Sequence, residues 1–221
     1  MKSYGQFCSV ARALDAVGDR WVLLIVRELL ALGPSRYSDL KRGLPGIASN
    51  LLSERLKTME AEGLVERYDA PPPIGTTLYR LTDRGLELRD VVHALARWGL
   101  GRMYGGAGAD AAQPQWSALF AALELSPRLG PETEFVLSLH TGDETVHAIL
   151  RHGTFEIRRG PAPDADVTLT GDATLVGAVL SGYLTTDEAA DLGLRIDGAP
   201  SVLTDLMHSA PQPSPRPGAT P

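Results

Sequence analysis

The chain has few of the features that mark secreted and membrane proteins. Cys8 is the single cysteine among 221 residues, which excludes an intrachain disulfide framework and favours the reducing cytoplasm. The most apolar run, residues 21–26, ends at Arg27 and is far shorter than the ~20 residues that cross a bilayer. The N-terminus lacks the charged, apolar and cleavage-site order of a signal peptide. We therefore expect a cytoplasmic protein with no membrane partner.

Common catalytic and metal-binding motifs are also missing. The sequence contains no Gly-x-Ser-x-Gly elbow, no Walker motif, no His-Glu-x-x-His and no Gly-x-Gly-x-x-Gly after a strand. His140, His147 and His152 have a spacing unlike known ligand motifs, and the nearby Asp143 and Glu144 are equally explained as polar turn residues. We expect neither an enzyme nor a protein that holds a metal ion or another cofactor.

Charge is distributed unequally along the chain. With 43% hydrophobic and 22% charged residues the composition is that of an ordinary globular protein, and the formal net charge is −6. Residues 1–104 carry a net charge of +3, whereas residues 105–221 carry −9. A mildly basic half can approach a polyanion, while a strongly acidic half is repelled by one and should face away from it.

Two segments of biased composition divide the chain. Residues 105–115 are small, flexible and poor in core formers, which predicts a linker. The last 13 residues contain five of the 16 prolines, which predicts a disordered tail. We therefore expect a domain over residues 1–104, a linker over 105–115, a second domain over 116–208 and a tail over 209–221.

Periodicity in the first half predicts helices, one hairpin and a long helix. Val10, Leu14 and Val17 recur at helical spacing, and Asp19 is a candidate N-cap for the next helix. Thr82 is a candidate cap for the helix after the hairpin. The other predicted elements are helices over residues 37–42 and 49–62 and strands over 64–68 and 77–81.

The fourth predicted helix has two distinct faces. Leu52, Leu56 and Met59 share the apolar face. The opposite face carries Asn50, Ser53, Glu54 and Lys57. Two short helices, the second with a polar outward face, followed by a hairpin are typical of a winged helix-turn-helix, in which such a helix fits the major groove of DNA.

The ordered motifs of this half resemble those of the HxlR-type regulators, over about residues 4–100. The motifs are Tyr4-Gly-Gln-Phe-Cys-Ser-Val-Ala-Arg-Ala-Leu14, Gly18-Asp-Arg-Trp21, Leu24-Ile-Val-Arg-Glu-Leu29, Tyr37-Ser-Asp-Leu40, Leu51-Leu-Ser-Glu-Arg-Leu-Lys-Thr-Met-Glu60, Glu62-Gly-Leu-Val65 and Tyr79-Arg-Leu-Thr-Asp-Arg-Gly85. The resemblance implies a dimeric, MarR-like bacterial transcription factor that pairs through its first and last helices. Leu88, Val92, Leu95 and Trp98 would then contribute to the dimer interface, although a core within one chain would use the same residues.

The candidate contacts to double-stranded DNA lie on three elements. They are Ser49, Asn50, Ser53 and Lys57 on the fourth helix, Arg36, Lys41 and Arg42 around the third, and Arg67, Thr76 and Arg80 in the wing. A solvated helix face would have the same polar composition. The wing tip of three prolines carries no charge, which argues against deep insertion into the minor groove.

Cys8 has two interpretations. A small apolar residue just before a helix packs readily, which is the simpler one. A thiol at a helix N-terminus has its thiolate favoured by the helix dipole, which raises its reactivity toward oxidants and electrophiles. The HxlR resemblance implies a redox-sensing role at the matching position. With no second cysteine in the chain, a disulfide would form between subunits or with a small thiol.

The second half is predicted to be an α+β domain with an antiparallel sheet. Strand-like runs cover residues 134–139, 144–150, 154–159 and 166–170, and helices are predicted over 172–180 and 201–208 with a turn at 195–198. The order of these elements over about residues 116–207 resembles the sterol carrier protein two fold. That resemblance implies a cavity for an apolar small molecule, whereas a filled core would serve as an oligomerisation or spacer module.

The sequence as a whole predicts an α+β protein with an N-terminal winged helix and a C-terminal α+β domain. We expect a transcriptional regulator that binds DNA as a homodimer and responds to an apolar effector or to oxidation of Cys8. The alternative is a carrier of lipids or other small molecules whose winged helix serves dimerisation or protein contact.

Overall fold

A computed structural model describes residues 3–72, 75–103, 108–199 and 201–204 and divides the chain into two units, Met1–Val92 and His93–Pro221. The boundary lies within a helix and earlier than residue 104, where composition places it. Among the described residues, no helix is long and apolar enough to cross a membrane.

The first unit consists of helices followed by a two-stranded hairpin. Its elements are α1 (Ser9–Val17), α2 (Val22–Leu32), α3 (Tyr37–Gly43), α4 (Ser49–Ala61), β1 (Val65–Asp69), β2 (Thr77–Leu81), α5 (Asp83–Leu86) and the beginning of α6 (Leu88–Gly99). This order confirms the predicted winged helix-turn-helix.

Two predicted helix starts differ from the structure. Trp21, and not Asp19, occupies the N-cap position of α2. The Asp19 carboxylate instead accepts a hydrogen bond from the Trp21 N–H in the turn before the helix. Thr82 does cap the helix after the hairpin, by accepting from the Gly85 N–H, but a turn at Glu87 divides the predicted helix into α5 and α6.

The core of the first unit lies between α2 and α4. Leu52, Leu56 and Met59 of α4 are buried, as their spacing predicts, and Ile25 and Val26 of α2 have no exposed surface. Burying such side chains contributes about 1.5–3 kcal/mol each. The apolar face of α4 therefore packs into the core of the unit, and its polar face is exposed to solvent.

The wing is tied at its base to the segment before α3. Strands β1 and β2 are antiparallel, with Val65 opposite Leu81 and Asp69 opposite Thr77. Ser35 adds a bridge to Tyr79, in which each N–H donates to the carbonyl of the other residue, at 2.9 and 2.8 Å. This bridge fixes the direction in which the hairpin leaves the unit.

The second unit is an α+β domain. It contains the rest of α6, then α7 (Pro114–Leu125), β3 (Glu134–Thr141), β4 (Glu144–Arg151), β5 (Thr154–Arg159), β6 (Val167–Thr170), α8 (Ala173–Leu180), α9 (Thr186–Asp191) and β7 (Arg195–Gly198). The sheet order is β5-β4-β3-β6-β7, and every neighbouring pair is antiparallel except β3 with β6. The predicted α+β domain is confirmed, and its sheet departs from the predicted antiparallel arrangement only at the parallel pair of β3 and β6.

Three elements of this unit differ from the sequence expectations. Residues Arg195–Gly198 form an edge strand on β6 and not a turn. Helix α7 begins at Pro114, inside the predicted linker, and is apolar on most of its surface, so it lacks the amphipathic period that reveals a helix. Helix α9 was not predicted, although it begins with a capping box between Thr185 and Glu188.

The structure describes only part of the C-terminal segment for which a helix and a tail are predicted. Residues 201–204 are helical, as predicted for the start of the last helix, and Leu203 is buried. The remainder of that helix and the predicted tail at 209–221 lie outside the described residues.

The sheet of the second unit has one buried and one open face. Leu137, Leu139, Leu150 and Leu169 are fully buried on the face that packs against α7. The alternate residues of the same strands form the other face, which is mostly polar and half-buried.

The histidines of the sheet are engaged in hydrogen bonds within this unit. His147 Nδ1 lies 2.9 Å from the Gly160 carbonyl, and His140 Nε2 lies 3.1 Å from the Ser138 hydroxyl. His152 Nδ1 is bonded to the Leu129 carbonyl. In the part of the chain that the structure describes, no group of three His, Cys, Asp or Glu residues is placed to hold a metal ion.

The Glu124 carboxylate connects the end of α6 to α7. Its side chain is 8% exposed and lies 2.7 Å from His93, 3.6 Å from Arg97 and 2.9 Å from Arg128. The hydrogen bond from His93, together with the nearby arginines, lowers the pKa of Glu124. These pairs explain why the second half of α6 belongs to the C-terminal unit.

Substitution of Gly85 tests the packing of α5 on the wing. A Cβ at this position would overlap the Leu64 carbonyl oxygen, which already accepts from the Thr82 N–H. We expect Gly85→Ala to lower the free energy of unfolding by about 2 kcal/mol, because the backbone must shift. Gly99→Ala is the matched helical control, since nothing lies within 4 Å of its Cβ position. Thermal unfolding followed by circular dichroism measures both, and equal melting temperatures would contradict the proposed overlap.

Candidate nucleic-acid interface

The polar face of α4 is exposed along its length. Ser49, Asn50, Ser53 and Lys57 all lie on the solvent side of the helix, opposite the buried apolar residues. Positions 50, 53 and 57 follow the i, i+3, i+7 spacing that places residues on one helix face. An amide, a hydroxyl and an ammonium group are therefore presented together on a rigid element.

Tyr37 of α3 holds the first turn of α4. Its hydroxyl donates to the Ser49 carbonyl at 2.7 Å, and the Ser53 hydroxyl donates to the Tyr37 oxygen at 3.3 Å. The Ser53 side chain is thus partly engaged within the unit. Sequence reasoning missed Tyr37, although an aromatic ring with a polar tip at a helix start is a recognisable signal.

The basic residues around α3 have different environments. The Lys41 ammonium group is half-buried and donates to the Ile47 carbonyl in the turn that leads to α4. Arg42 is exposed and forms an ion pair with Asp39 at 2.7 Å. Arg36 is exposed at the N-cap position of α3. Lys41 therefore stabilises the turn, whereas Arg36 and Arg42 project from the surface.

An ion pair joins α4 to the turn before α2. The Arg55 Nε atom lies 2.7 Å from an Asp19 carboxylate oxygen, and a second guanidinium nitrogen lies 3.0 Å from Glu54. These carboxylates raise the pKa of Arg55. The pair restrains the rotation of α4 about its axis, and neither of its members was among the candidate DNA contacts.

A buried carboxylate lies beneath α3. Glu28 of α2 is 1% exposed and pairs with the neighbouring Arg27 guanidinium at 2.8 Å. Burial lowers the pKa of Arg27, and the Glu28 carboxylate opposes this shift. A Cβ at Gly43 would overlap the Glu28 carboxylate, so α3 approaches this pair with a residue that has no side chain.

The wing arginines are paired with glutamates. Arg80 lies 2.7 Å from Glu66 and stacks over the Tyr68 ring at 4.7 Å, and Arg67 lies 3.4 Å from Glu60. Thr76 is half-buried near the tip, and Pro73 and Ile74 lie outside the described residues. Much of the positive charge predicted for the wing is therefore compensated locally.

Helices α1 and α6 expose apolar side chains. Val10 and Leu14 of α1 are 65% and 43% exposed. Of the candidate interface residues on α6, Leu95 and Trp98 are exposed at 46% and 77% and Leu88 is half-buried. Val92 is buried and so belongs to the core of the chain.

Cys8 lies at the N-cap position of α1 and is exposed. The nearby backbone N–H groups of Ala11 and Val10, at the start of α1, lower the pKa of its thiol, and the side chain makes no capping hydrogen bond. Exposure at the start of a helix is an environment that favours the thiolate.

The different environments of Lys41 and Arg42 can be tested by stability. We expect Lys41→Met to lower the free energy of unfolding by about 1.5 kcal/mol, because the Ile47 carbonyl loses a charged donor in a half-buried turn. Arg42→Met breaks an exposed ion pair with Asp39 and should change stability by less than about 0.5 kcal/mol. Urea unfolding measures both variants. Equal losses would mean that Lys41 has no special role in the turn.

Comparison with known proteins places the first unit in a family. The family model of the HxlR-like helix-turn-helix matches residues 16–105. The HTH-type transcriptional regulator YvaP of Bacillus subtilis is 39% identical over 87 residues, which cover 39% of this chain and 80% of that protein. The regulator Rv3095 of Mycobacterium tuberculosis is 41% identical over 91 residues, or 41% of this chain and 56% of that protein.

Solved structures match over a similar share of the chain. The reduced form of the regulator YodB from B. subtilis is 30% identical and covers 46% of this chain and 99% of its own, with a TM-score of 0.39. Residues beyond 105 lie outside the matching family model, so the sterol-carrier resemblance of the second unit stays a prediction. The ordered motifs, the winged helix and these relatives agree: the chain belongs to the HxlR family of helix-turn-helix, DNA-binding transcriptional regulators.

Proposed function

We propose that the chain regulates transcription by binding operator DNA as a homodimer, with α4 of each copy in the major groove. The observation that carries this proposal is the exposed polar face of α4 on a helix whose other face is fixed in the core. An α-helix fits the major groove, which is about 12 Å wide and presents a distinct donor and acceptor pattern for each base pair.

Asn50 and Lys57 are the proposed base contacts. An asparagine amide pairs with adenine through two hydrogen bonds, and a lysine ammonium group reaches guanine or a phosphate. Both side chains are exposed on α4. Ser49 and Ser53 complete this face as shorter polar contacts, with Ser53 already bonded to Tyr37.

Phosphate contacts set the position of the unit on the duplex in this proposal. Arg36 and Arg42 are exposed beside α3, where such contacts carry no sequence information. Arg67, Thr76 and Arg80 are proposed as weaker wing contacts, because the two arginines must leave Glu60 and Glu66 to reach a phosphate. Lys41 acts through the turn before α4.

The exposed apolar residues of α1 and α6 support dimerisation. Val10 and Leu14 on one helix and Leu95 and Trp98 on the other would be removed from water in a two-fold dimer. A two-fold dimer reads two half-sites about 34–36 Å apart on one side of the DNA. We therefore expect a roughly palindromic operator.

The acidic second unit is proposed to lie away from the DNA because of its net charge. Apolar residues expected to line a ligand cavity, among them Leu137, Leu139, Val167 and Leu169, are buried in its core. An apolar effector for this unit stays a prediction from the sequence. Such an effector would act only by preferring the DNA-competent or the incompetent state.

Asn50→Ala and Arg42→Ala separate base reading from phosphate binding. We expect Asn50→Ala to weaken binding to the operator by about 1–3 kcal/mol and to leave binding to scrambled DNA unchanged. Arg42→Ala should weaken binding to both duplexes. It should also reduce the slope of log K against log salt concentration by about one, the amount expected for the loss of one phosphate contact. Fluorescence anisotropy across a salt series, on an operator selected from genomic fragments, measures both.

The same titration decides between the regulator and the carrier. Equal losses on operator and scrambled DNA for Asn50→Ala would remove α4 as the reading helix. If selection retrieves no preferred fragment and binding shows no salt dependence, the small-molecule carrier becomes the better proposal.

We also propose that Cys8 makes binding sensitive to oxidation. Its exposure, its position at the start of α1 and its lowered pKa support a reactive thiolate. Two Cys8 thiols of a dimer, or Cys8 and a small thiol, would form a disulfide while diamide accepts the two electrons and two protons. Because α1 carries the proposed dimer surface, this modification would alter pairing.

Cys8→Ser tests this switch. We expect diamide to change the operator affinity of the unmodified protein at least about fivefold, an effect of the size typical for coupled sites. The Cys8→Ser variant should bind with unchanged affinity and show no response to diamide. A response that persists in the variant would exclude Cys8 as the sensor, since the chain has no other cysteine.

A further inference from the structure

Strand β5 is an outer strand of the five-stranded sheet. It pairs with β4 on one side, and no described strand pairs with it on the other. An outer strand presents a row of backbone donors and acceptors to any chain that can align with it. With six residues, Thr154–Arg159, it is long enough for such pairing.

The backbone of β5 alternates between β4 and the open side. The Gly160 N–H donates to the Thr145 carbonyl at 2.8 Å, directly after the last paired residues. In an antiparallel ladder every second residue is hydrogen-bonded to the same neighbour. Arg158 and Glu156 therefore face β4 with their backbone groups, and the N–H and C=O of Ile157 face the open side.

Opposite charges flank Ile157. The Glu156 carboxylate and the Arg158 guanidinium form a pair at 2.7 Å, with the side chains 51% and 56% exposed. Both lie on the open face of the sheet, one residue on either side of Ile157. When two copies of this strand run antiparallel about Ile157, each glutamate therefore faces an arginine of the other copy.

We propose that β5 pairs antiparallel with β5 of a second copy, with the two-fold axis at Ile157, so that the two sheets become one. The open N–H and C=O of Ile157 then bond to the same groups of the second copy. Each Glu156 lies opposite an Arg158, and cross-strand pairs of opposite charge stabilise antiparallel strands. The contact is isologous, so on its own it joins two copies. It is independent of DNA binding.

The other outer strand is the rival edge. Strand β7 also has opposite charges around a central residue, with Arg195 2.7 Å from Asp197 on either side of Ile196. It has four residues, and its last one, Gly198, offers no side chain to a partner. The longer ladder favours β5.

Disulfide trapping tests the register. In a Cys8→Ser background, Glu156→Cys and Arg158→Cys are made in separate full-length chains. Residues 156 and 158 form a non-hydrogen-bonded pair across the proposed axis, with Cα atoms about 4.5 Å apart, which suits a disulfide. We expect a mixture of the two variants to form covalent dimers at least about tenfold faster than either variant alone. Equal rates in the mixture and the single variants would overturn the proposal.

Charge reversal gives an independent measurement. Glu156→Arg places like charges opposite each other, so we expect the dissociation constant of the assembly to rise at least about tenfold in sedimentation equilibrium. The double reversal, Glu156→Arg with Arg158→Glu, should restore it. Arg195→Glu is the control, because it breaks a comparable exposed pair with Asp197 on the other outer strand. If only Arg195→Glu weakens association, β7 is the pairing edge and the proposal is wrong.

Discussion

The burial of one face of α4 is the constraint on which the rest of the DNA-binding unit depends. Leu52, Leu56 and Met59 are buried in the core of the unit, and this leaves Asn50 and Lys57 exposed on the opposite face of the helix. Apolar packing alone allows a helix to rotate or slide slightly. The pair between Arg55 and Asp19 and the bonds of Tyr37 remove this freedom, because they act at fixed points along the helix.

Local ion pairs change how the net charge of this unit should be interpreted. A charge of +3 over residues 1–104 favours the approach to DNA, but Arg67 and Arg80 already have carboxylate partners. Exchange of such a partner for a phosphate gains little free energy at an exposed site. Affinity is therefore expected to depend on α3 and α4 more than on the wing. This agrees with a loop between the strands that carries prolines in place of basic residues.

The sequence predicted the elements whose signals are local. The period of α4, the Thr82 cap and strands β3 to β6 of the second unit all follow from spacing and turn residues. Helix α7 was missed because it is apolar on nearly all sides. Strand β7 was missed because its sequence Arg-Ile-Asp-Gly has the polar and glycine residues that are typical of a turn. Lys41 donates to the carbonyl of Ile47, six positions later in the chain. This contact could not be predicted from the sequence, because the direction of that carbonyl is known only in the folded turn. Val92 is a second example, because an apolar stripe on a helix does not show which of its residues are buried within the chain and which are exposed to a partner.

Glu124 contacts an imidazole and two guanidinium groups at once, so a change at any of these four positions affects the other three. His93 and Arg97 lie one turn apart on α6, and Arg128 follows α7. Replacement of the carboxylate by a neutral residue would leave partly buried positive charges facing one another without compensation. Homologues that share this unit should therefore retain the acid together with its cations or replace the group in concert. Positions 93, 97, 124 and 128 are expected to covary as one set in an alignment of such sequences.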